Sequence, residues 1–236
     1  MKLDFHNERV LAVVAHPDDA ELLCAGTLAR ARADGAAVAI AVLCRGDGGV
    51  PPGPVRNLAA LRRREAAAAA KLLGASLFPG TVADGALADT VPVRRRLTEI
   101  YRRFRPTLVL AHSQADYHPD HRAAGALAEA ASWFSASRGQ RTRSPALAAA
   151  PALWWMDTLG MGGFEPGFYV DVSAFRGLKE RMLACHRSQI ARVVDRDFAP
   201  LADLMRRQSE TRGAQAGVAA AEAFRIHDAF KRARAW

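Results

Sequence analysis

The sequence predicts an α/β fold in which helices cover both faces of a mostly parallel β-sheet. Short apolar segments rich in Val, Leu and Ala alternate with longer Ala-rich segments through the first 134 residues. Continuous apolar runs of this kind are typical of strands buried on both faces. Strands that alternate with helices at this spacing predict right-handed βαβ units. The 236 residues fit one domain, residues 1–236, with a helical C-terminal portion.

Six segments are predicted as strands because they are short, apolar and followed by polar or turn-forming residues. They are residues 10–15, 38–43, 77–78, 107–111, 153–156 and 168–172.

Seven segments are predicted as helices from their periodicity and their end signals. Gly35 and Gly74 fit the C-terminal cap position, and a helix before Pro106 must end ahead of it. Residues 46–54 and 135–151 carry no helical or strand pattern and are predicted as loops. The predicted helices are residues 21–34, 58–73, 93–104, 121–134, 175–193, 200–212 and 219–234.

The net charge of +9 does not by itself indicate nucleic-acid binding. The arginines are spread over Ala-rich helical stretches and are not interleaved with aromatic residues, so we expect solvated helix faces and no nucleic-acid partner. Three widely spaced cysteines do not indicate a disulfide framework. No apolar run is long enough for a membrane span, and the N-terminus lacks a signal-peptide pattern. We expect a cytoplasmic protein without a membrane partner.

Two polar clusters follow predicted strands that belong to the same sheet. The first, His16-Pro17-Asp18-Asp19-Ala20-Glu21, combines one imidazole with three carboxylates, and the second, residues 116–121, combines two imidazoles with two carboxylates. Carboxyl ends of parallel strands meet at one sheet edge, and crowded carboxylates there require a cation. Three N/O ligands with an open fourth position describe a catalytic zinc site. Spacing alone leaves open which members are ligands, and either cluster alone could instead be a helix cap or a salt-bridged loop.

The same residues carry a resemblance to a known family. Residues 15–28 resemble the opening motif of the PIG-L / LmbE-like zinc-dependent deacetylases, and residues 116–122 resemble that family's second motif. Leu23 and Ala25 depart from the pattern, since glycines are common there, and predict a slightly different helix packing. Weaker similarity extends through Arg45-Gly46-Asp47, Arg62 with Glu65, residues 186–189 and residues 221–225.

The resemblance implies a Rossmann-like α/β domain that binds Zn²⁺. It implies that His16, Asp19 and His121 are the zinc ligands and that Asp18 is the general base for the attacking water. An amide is a poor electrophile, and zinc both polarises its carbonyl and lowers the pKa of water. Two adjacent aspartates would therefore hold two separate roles, one on the metal and one on the proton.

The resemblance also assigns residues that face the substrate. His118 would stabilise the oxyanion and protonate the leaving amine, and Asp120 would orient the His118 ring. Arg62 and Asp84 fall where family members bind sugar hydroxyls. The implied partner is a small-molecule amino-sugar conjugate, and the implied assembly is a homo-oligomer.

The leading hypothesis is therefore zinc-dependent removal of an N-acyl group, N-acetyl in the family, from an N-acetylglucosaminyl-type conjugate. One alternative is a metal-dependent amidase that acts on a thiol conjugate or an antibiotic precursor. A dinucleotide-binding module is disfavoured because the first strand-to-helix turn lacks G-x-G-x-x-G and carries carboxylates instead. His112 is interpreted as a buried polar residue at a strand end, and His186 as a pocket-lining or supporting residue.

Overall fold

A mixed seven-stranded sheet forms the centre of the computed structural model, which describes residues 3–49, 51, 53–190 and 200–229. The strand order is β3-β2-β1-β4-β5-β7-β6. The strands are β1 (Arg9–Val14), β2 (Ala37–Val42), β3 (Ser76–Phe78), β4 (Leu108–His112), β5 (Ala152–Met156), β6 (Phe168–Asp171) and β7 (Ala221–Ile226).

Four of the pairings in this sheet are parallel, which confirms the predicted α/β class. The pairs β1–β2, β1–β4, β2–β3 and β4–β5 run parallel, while β7 runs antiparallel to both β5 and β6. The chain moves outward from β1 to β3 and then returns to place β4 on the other side of β1. A reversal of this kind opens a crevice at the carboxyl ends of the two central strands.

Helices cover the sheet on both faces, as predicted. They are α1 (Asp19–Leu23), α2 (Ala25–Ala33), α3 (Leu58–Leu73), α4 (Val91–Phe104), α5 (Pro119–Ala136), α6 (Arg176–Leu183), α7 (Arg187–Ile190) and α8 (Leu201–Ala216). Alternate residues of β1 serve the two layers, because successive strand side chains point to opposite faces. Val10, Ala12 and Val14 pack with residues of α1, α2, α3, α6 and α8, whereas Leu11 and Val13 pack with α4 and α5.

The prediction for residues 21–34 is wrong in one respect, because the segment contains two helices. α1 ends at Leu23, and Cys24 has extended φ (−146°), which separates α1 from α2. The predicted helix at 175–193 is likewise divided into α6 and α7, and its residues 191–193 lie outside the described part of the chain. The prediction for 58–73 is confirmed, and Gly74 caps α3 in the left-handed conformation.

The predicted helix at 219–234 is wrong, because residues 221–226 form the strand β7. Its Ala-Glu-Ala-Phe-Arg sequence has helix-forming composition. The position between β5 and β6 supplies backbone hydrogen-bonding partners on both sides, and this tertiary context overrides local propensity. Residues 230–234 of the prediction lie outside the described chain. Within the described residues, no helix combines the length and apolarity needed to cross a bilayer.

Candidate metal centre

A cavity of about 530 Å³ opens at the carboxyl ends of β1 and β4, where the strand order reverses. The turn from β1 into α1 supplies one set of polar side chains, and the start of α5 supplies the other. All the site residues named from the sequence line this cavity. They are His16, Asp18, Asp19, Arg62, Asp84, His118, Asp120 and His121.

Asp19 is the centre of the polar cluster. Its Oδ1 lies 3.4 Å from His121 Nε2, and its Oδ2 lies 3.6 Å from His16 Nδ1. The backbone N–H of His16 also donates to Asp19 Oδ2 at 2.6 Å, which fixes the carboxylate against the turn. Ligand atoms converge within 4.8 Å in two overlapping sets, His16–His118–His121 and Asp19–His112–His121. His121 belongs to both sets, so the structure brings the three predicted ligands together and adds two neighbouring imidazoles.

Each predicted imidazole ligand has a carboxylate behind it. His16 Nε2 lies 3.1 Å from Asp120 Oδ2, and His121 Nδ1 lies 3.1 Å from Asp116 Oδ1. Imidazoles that bind metals in proteins commonly place the second ring nitrogen on a carboxylate, which fixes the tautomer and the ring orientation. The donor set therefore fits a divalent transition metal such as zinc, which accepts imidazole nitrogen and carboxylate oxygen in one site.

The electrostatics of the cluster also favour a positive charge. Burial acts to lower the pKa of His16, but the hydrogen bond and charge of Asp19 outweigh it and raise this pKa to about 9. Burial opposes protonation of His121 too, yet Asp19 and Asp116 raise its pKa to about 10. The carboxylates thus attract a cation to the position between these two rings.

Asp18 has a different environment from its neighbour Asp19. Its backbone lies in the left-handed region with φ 138°, which is strained for a residue with a Cβ. Its side chain is buried and makes no capping hydrogen bond to α1. Burial raises the pKa of Asp18 to about 7, and the charge of Asp19 adds to this effect. The strained turn therefore holds a carboxyl group with proton affinity near neutrality at the cavity wall.

His118 forms the N-cap of α5. Its Nδ1 accepts a hydrogen bond from the Asp120 backbone N–H at 3.1 Å, so a neutral ring carries its proton on Nε2. Burial lowers the pKa of His118, and the nearby charge of His121 lowers it further. The ring is therefore neutral and can donate from Nε2.

The predicted role of Asp120 requires a correction. The Asp120 carboxylate does not contact the His118 ring but pairs with His16, and it accepts backbone N–H groups from Gly85 at 2.7 Å and Leu87 at 3.2 Å. These amides occupy its oxygens because the loop after β3 crosses directly over the start of α5. The backbone of Asp120, not its carboxylate, orients the His118 ring.

Arg62 and Asp84 lie on the side of the cavity that adjoins the 46–54 loop. Both oxygens of Asp84 accept loop amides, from Gly46 at 2.8 Å and from Gly48 at 2.9 Å. The Arg62 guanidinium is buried, with Nη1 3.9 Å from Asp84 Oδ2. Gly46 has φ +75°, and a Cβ there would lie 2.8 Å from Arg62 Cδ. The loop therefore needs glycine to close over this arginine.

Sequence reasoning missed two supporting residues, Asp116 and His112. Asp116 stood inside the second motif but received no role, although a carboxylate next to a histidine ligand is a recognisable signal. His112 is fully buried, stacks on His121 with centroids 4.0 Å apart, and places Nε2 3.1 Å from Asp19 Oδ2. Burial lowers its pKa to about 4, so it is neutral. Its position at the end of β4 was the available signal.

His186 lies behind the first motif. It is buried, and its Nε2 lies 3.4 Å from Glu21 Oε2 on α1. Burial opposes protonation, but Glu21 raises the pKa of His186 above its usual value. The residue is thus a support for α1, and it does not line the 530 Å³ cavity.

Comparison with known proteins places this geometry in a family. The model of the PIG-L family, described as GlcNAc-PI de-N-acetylase, matches residues 11–132, which is more than half of the chain. The chain belongs to the PIG-L family. The matched segment begins in β1 and ends inside α5, so it contains both motifs of the metal centre.

Solved structures similar to this PIG-L protein include one named as a deacetylase. N,N′-diacetylchitobiose deacetylase from Pyrococcus horikoshii is 27% identical, with a TM-score of 0.81 over 93% of this chain and 84% of that one. A conserved protein from Thermus thermophilus is 33% identical, with a TM-score of 0.79 over 97% and 100% of the two chains.

A curated relative has a different name. The 4-oxalmesaconate hydratase of Pseudomonas putida is 36% identical over 91 residues. The match covers 38% of this PIG-L chain and 35% of the hydratase, about a third of that relative's length. Hydrolase and hydratase relatives therefore share the fold region that holds the metal centre.

Proposed function

We propose that this PIG-L protein is a zinc-dependent N-deacylase that hydrolyses the amide of an N-acetylglucosaminyl-type conjugate. The observation that carries the proposal is the carboxylate-centred cluster of His16, Asp19 and His121, with a proton acceptor and a proton donor on its two flanks. Asp18 is the acceptor and His118 is the donor. Water attack on an amide requires both groups, because the water must lose a proton and the leaving amine must gain one.

His16, Asp19 and His121 would hold the zinc ion. When bound, zinc supplies a Lewis acid that polarises the amide carbonyl and makes water acidic. Asp116 and Asp120 keep the two imidazoles in the orientation and tautomer that binding needs.

Asp18 accepts the proton of the attacking water in this proposal. Its carboxyl group is buried at the cavity wall, and its backbone strain fixes it beside Asp19 without any competing capping bond. A pKa of about 7 suits a group that takes up and then releases a proton near neutral pH.

His118 donates from Nε2 in this proposal. Its Nδ1 is committed to the backbone of Asp120, which leaves Nε2–H to stabilise the negative charge on the carbonyl oxygen and to protonate the leaving amine. His118→Ala should therefore keep the metal and reduce turnover by about 10²–10³-fold.

A hydratase is the second candidate function, favoured by the 36% identity to 4-oxalmesaconate hydratase. That substrate is, by its name, a carboxylic acid and would need cationic partners. The described lining of the cavity contains four aspartates and a single arginine, Arg62, which lies near Asp84. This charge balance favours an uncharged amide substrate. A thiol conjugate or an antibiotic precursor would use the same residues.

The proposal is tested by incubating the zinc-loaded protein with a panel of N-acetylglucosaminides and measuring free amine. Loss of 4-oxalmesaconate absorbance is followed in parallel. Amine release that disappears in Asp18→Asn supports the deacylase. Hydration of 4-oxalmesaconate without amine release from any amide would replace it with the hydratase.

A further inference from the structure

The cavity has a second half that the proposed chemistry does not use. Five apolar side chains form this part, which we call the apolar wall: Leu22, Leu159, Ile190, Pro200 and Leu201. Leu159, Ile190 and Leu201 are half-buried and pack against the hydrophobic core on their inner sides. Their remaining surface borders the cavity. Gln189 also lies there, but its amide donates to the backbone carbonyl of Pro17.

The strand order places this wall opposite the polar loops. Gly48 follows β2 and Asp84 follows β3, on one side of the metal centre at the ends of β1 and β4. Leu159 follows β5, on the other side of that centre. Leu201 begins α8, which packs against β7 and β6, still farther in the same direction. The metal centre therefore lies between a polar half and an apolar half of one cavity.

An amide bound at this centre extends in both directions. Its C–N bond is planar and trans, so the acyl carbon chain and the substituent on nitrogen leave the scissile bond on opposite sides. A sugar on the amine side fits the half that contains Arg62 and Asp84, whose groups are polar. The acyl chain then points toward the apolar wall. A methyl group would cover little of that wall, since the cavity volume of about 530 Å³ is in the range that accepts drug-sized ligands.

We propose that the apolar wall is an acyl-chain subsite and that the substrate carries an N-acyl group longer than acetyl. The inference rests on the proposed N-deacylase function and names its substrate class. Each methylene buried on the wall would stabilise the bound transition state by the hydrophobic effect, so kcat/KM should rise about two- to fourfold for each added methylene until the wall is covered.

The test uses the zinc-loaded wild-type protein and the methyl glycosides of N-acetyl-, N-butyryl-, N-hexanoyl- and N-octanoylglucosamine, with free amine as the product. Binding of the acetyl and octanoyl compounds to the metal-free protein is measured by calorimetry, so that affinity is read without turnover. We expect both kcat/KM and affinity to increase with chain length. A fall in kcat/KM from acetyl to octanoyl would overturn the subsite while leaving the deacylase function intact. Absence of amine from every compound would instead remove the proposed function.

Variants locate the effect on the wall. Leu159→Asn and Leu201→Asn should each lower the octanoyl-to-acetyl ratio of kcat/KM by at least about tenfold, because polar groups replace apolar contact surface. Leu72→Asn is the matched control, since Leu72 is an exposed leucine on α3, 49% accessible, outside the cavity. Should Leu159→Asn unfold, Leu159→Ala replaces it with a smaller expected loss. An octyl aglycone that raises kcat/KM of the N-acetyl compound while the acyl series stays flat would assign the wall to the aglycone and contradict the proposal.

Discussion

Two adjacent aspartates perform different physical tasks because the backbone separates their environments. Asp19 lies within reach of three imidazoles, and their positive charge holds its pKa well below the usual value despite its burial. Asp18 has no such set of contacts, and its strained φ of 138° turns it away from the α1 cap. One residue therefore stays ionised as a ligand, and the other exchanges protons.

Substitution of the two aspartates should separate these tasks. Asp18→Asn should keep zinc and lose turnover by roughly two to four orders of magnitude, because only the proton acceptor is removed. Asp19→Asn should lose zinc affinity, since an amide is a poorer ligand than a carboxylate. Zinc content and turnover are measured on the same purified samples. A metal-free Asp18→Asn together with a zinc-containing Asp19→Asn would reverse the assignment.

His112 should act on the metal through Asp19. It is neutral, its Nδ1 has no hydrogen-bond partner among the described residues, and its Nε2 faces Asp19 Oδ2 at 3.1 Å. A proton on Nε2 avoids burying an unsatisfied donor and fixes the carboxylate. His112→Phe should weaken zinc affinity about 10- to 100-fold. His112→Gln, which can place an N–H near the same point, should recover part of it.

Chelator competition gives the two zinc affinities, and melting temperatures show whether the fold is intact. Equal weakening in His112→Phe and His112→Gln, or no weakening in either, would mean that the Nε2–Asp19 contact does not position the ligand.

The sequence could predict the residues of the metal centre but not all of their contacts. His16, Asp19 and His121 follow from two motifs at strand ends, and the structure brings them together. The position of the Asp120 carboxylate depends on where the loop after β3 crosses α5, which local sequence does not contain.

At the scale of elements, β7 connects the two ends of the chain. Glu222 on this strand accepts the backbone N–H groups of Gly26 and Thr27, at the start of α2, at 2.9 and 2.7 Å. Lys179 on α6 donates to the same carboxylate at 2.6 Å. A helix N-terminus and an ammonium group thus neutralise one buried anion.

Removal of Lys179 should be strongly destabilising. Lys179→Met leaves Glu222 buried without its cation and should lower the free energy of unfolding by about 3–5 kcal/mol. Arg206→Met is the control, because Arg206 pairs with Asp203 while both side chains are more than 40% exposed, and its loss should cost at most about 1 kcal/mol. Denaturant unfolding measures both. Similar small losses in the two variants would show that the buried pair contributes no more than a surface pair.

The helical content of the first 136 residues was more accessible from sequence than that of the last hundred. α3 has a periodic pattern and a Gly74 cap, so its bounds were predicted correctly. β7 was predicted as a helix because its strand pairing comes from β5 and β6, 65 and 50 residues earlier when their last residues are compared with Ala221. Local propensity contains no record of such pairing.

For the whole molecule, the net charge of +9 belongs to many separated arginines. Several of them serve internal contacts, as Arg102 does when it donates to the carbonyls of Phe134, Ser135 and Ser137 at the end of α5. We therefore expect only weak DNA binding that disappears at physiological salt, measured by fluorescence anisotropy over a salt series. Nanomolar affinity that persists at that salt would show a concentrated basic surface instead.

The contact between Glu222 and the start of α2 also bears on biosynthesis. The carboxylate is 196 residues away in sequence from Gly26, and α2 follows directly on α1, which contains the ligand Asp19. A nascent chain keeps the first amides of α2 without this partner until codon 222 has been translated. Contacts of such high order slow folding, because the intervening loop must close before they form. The enzyme's catalytic pocket is therefore completed by one of the last segments to leave the ribosome.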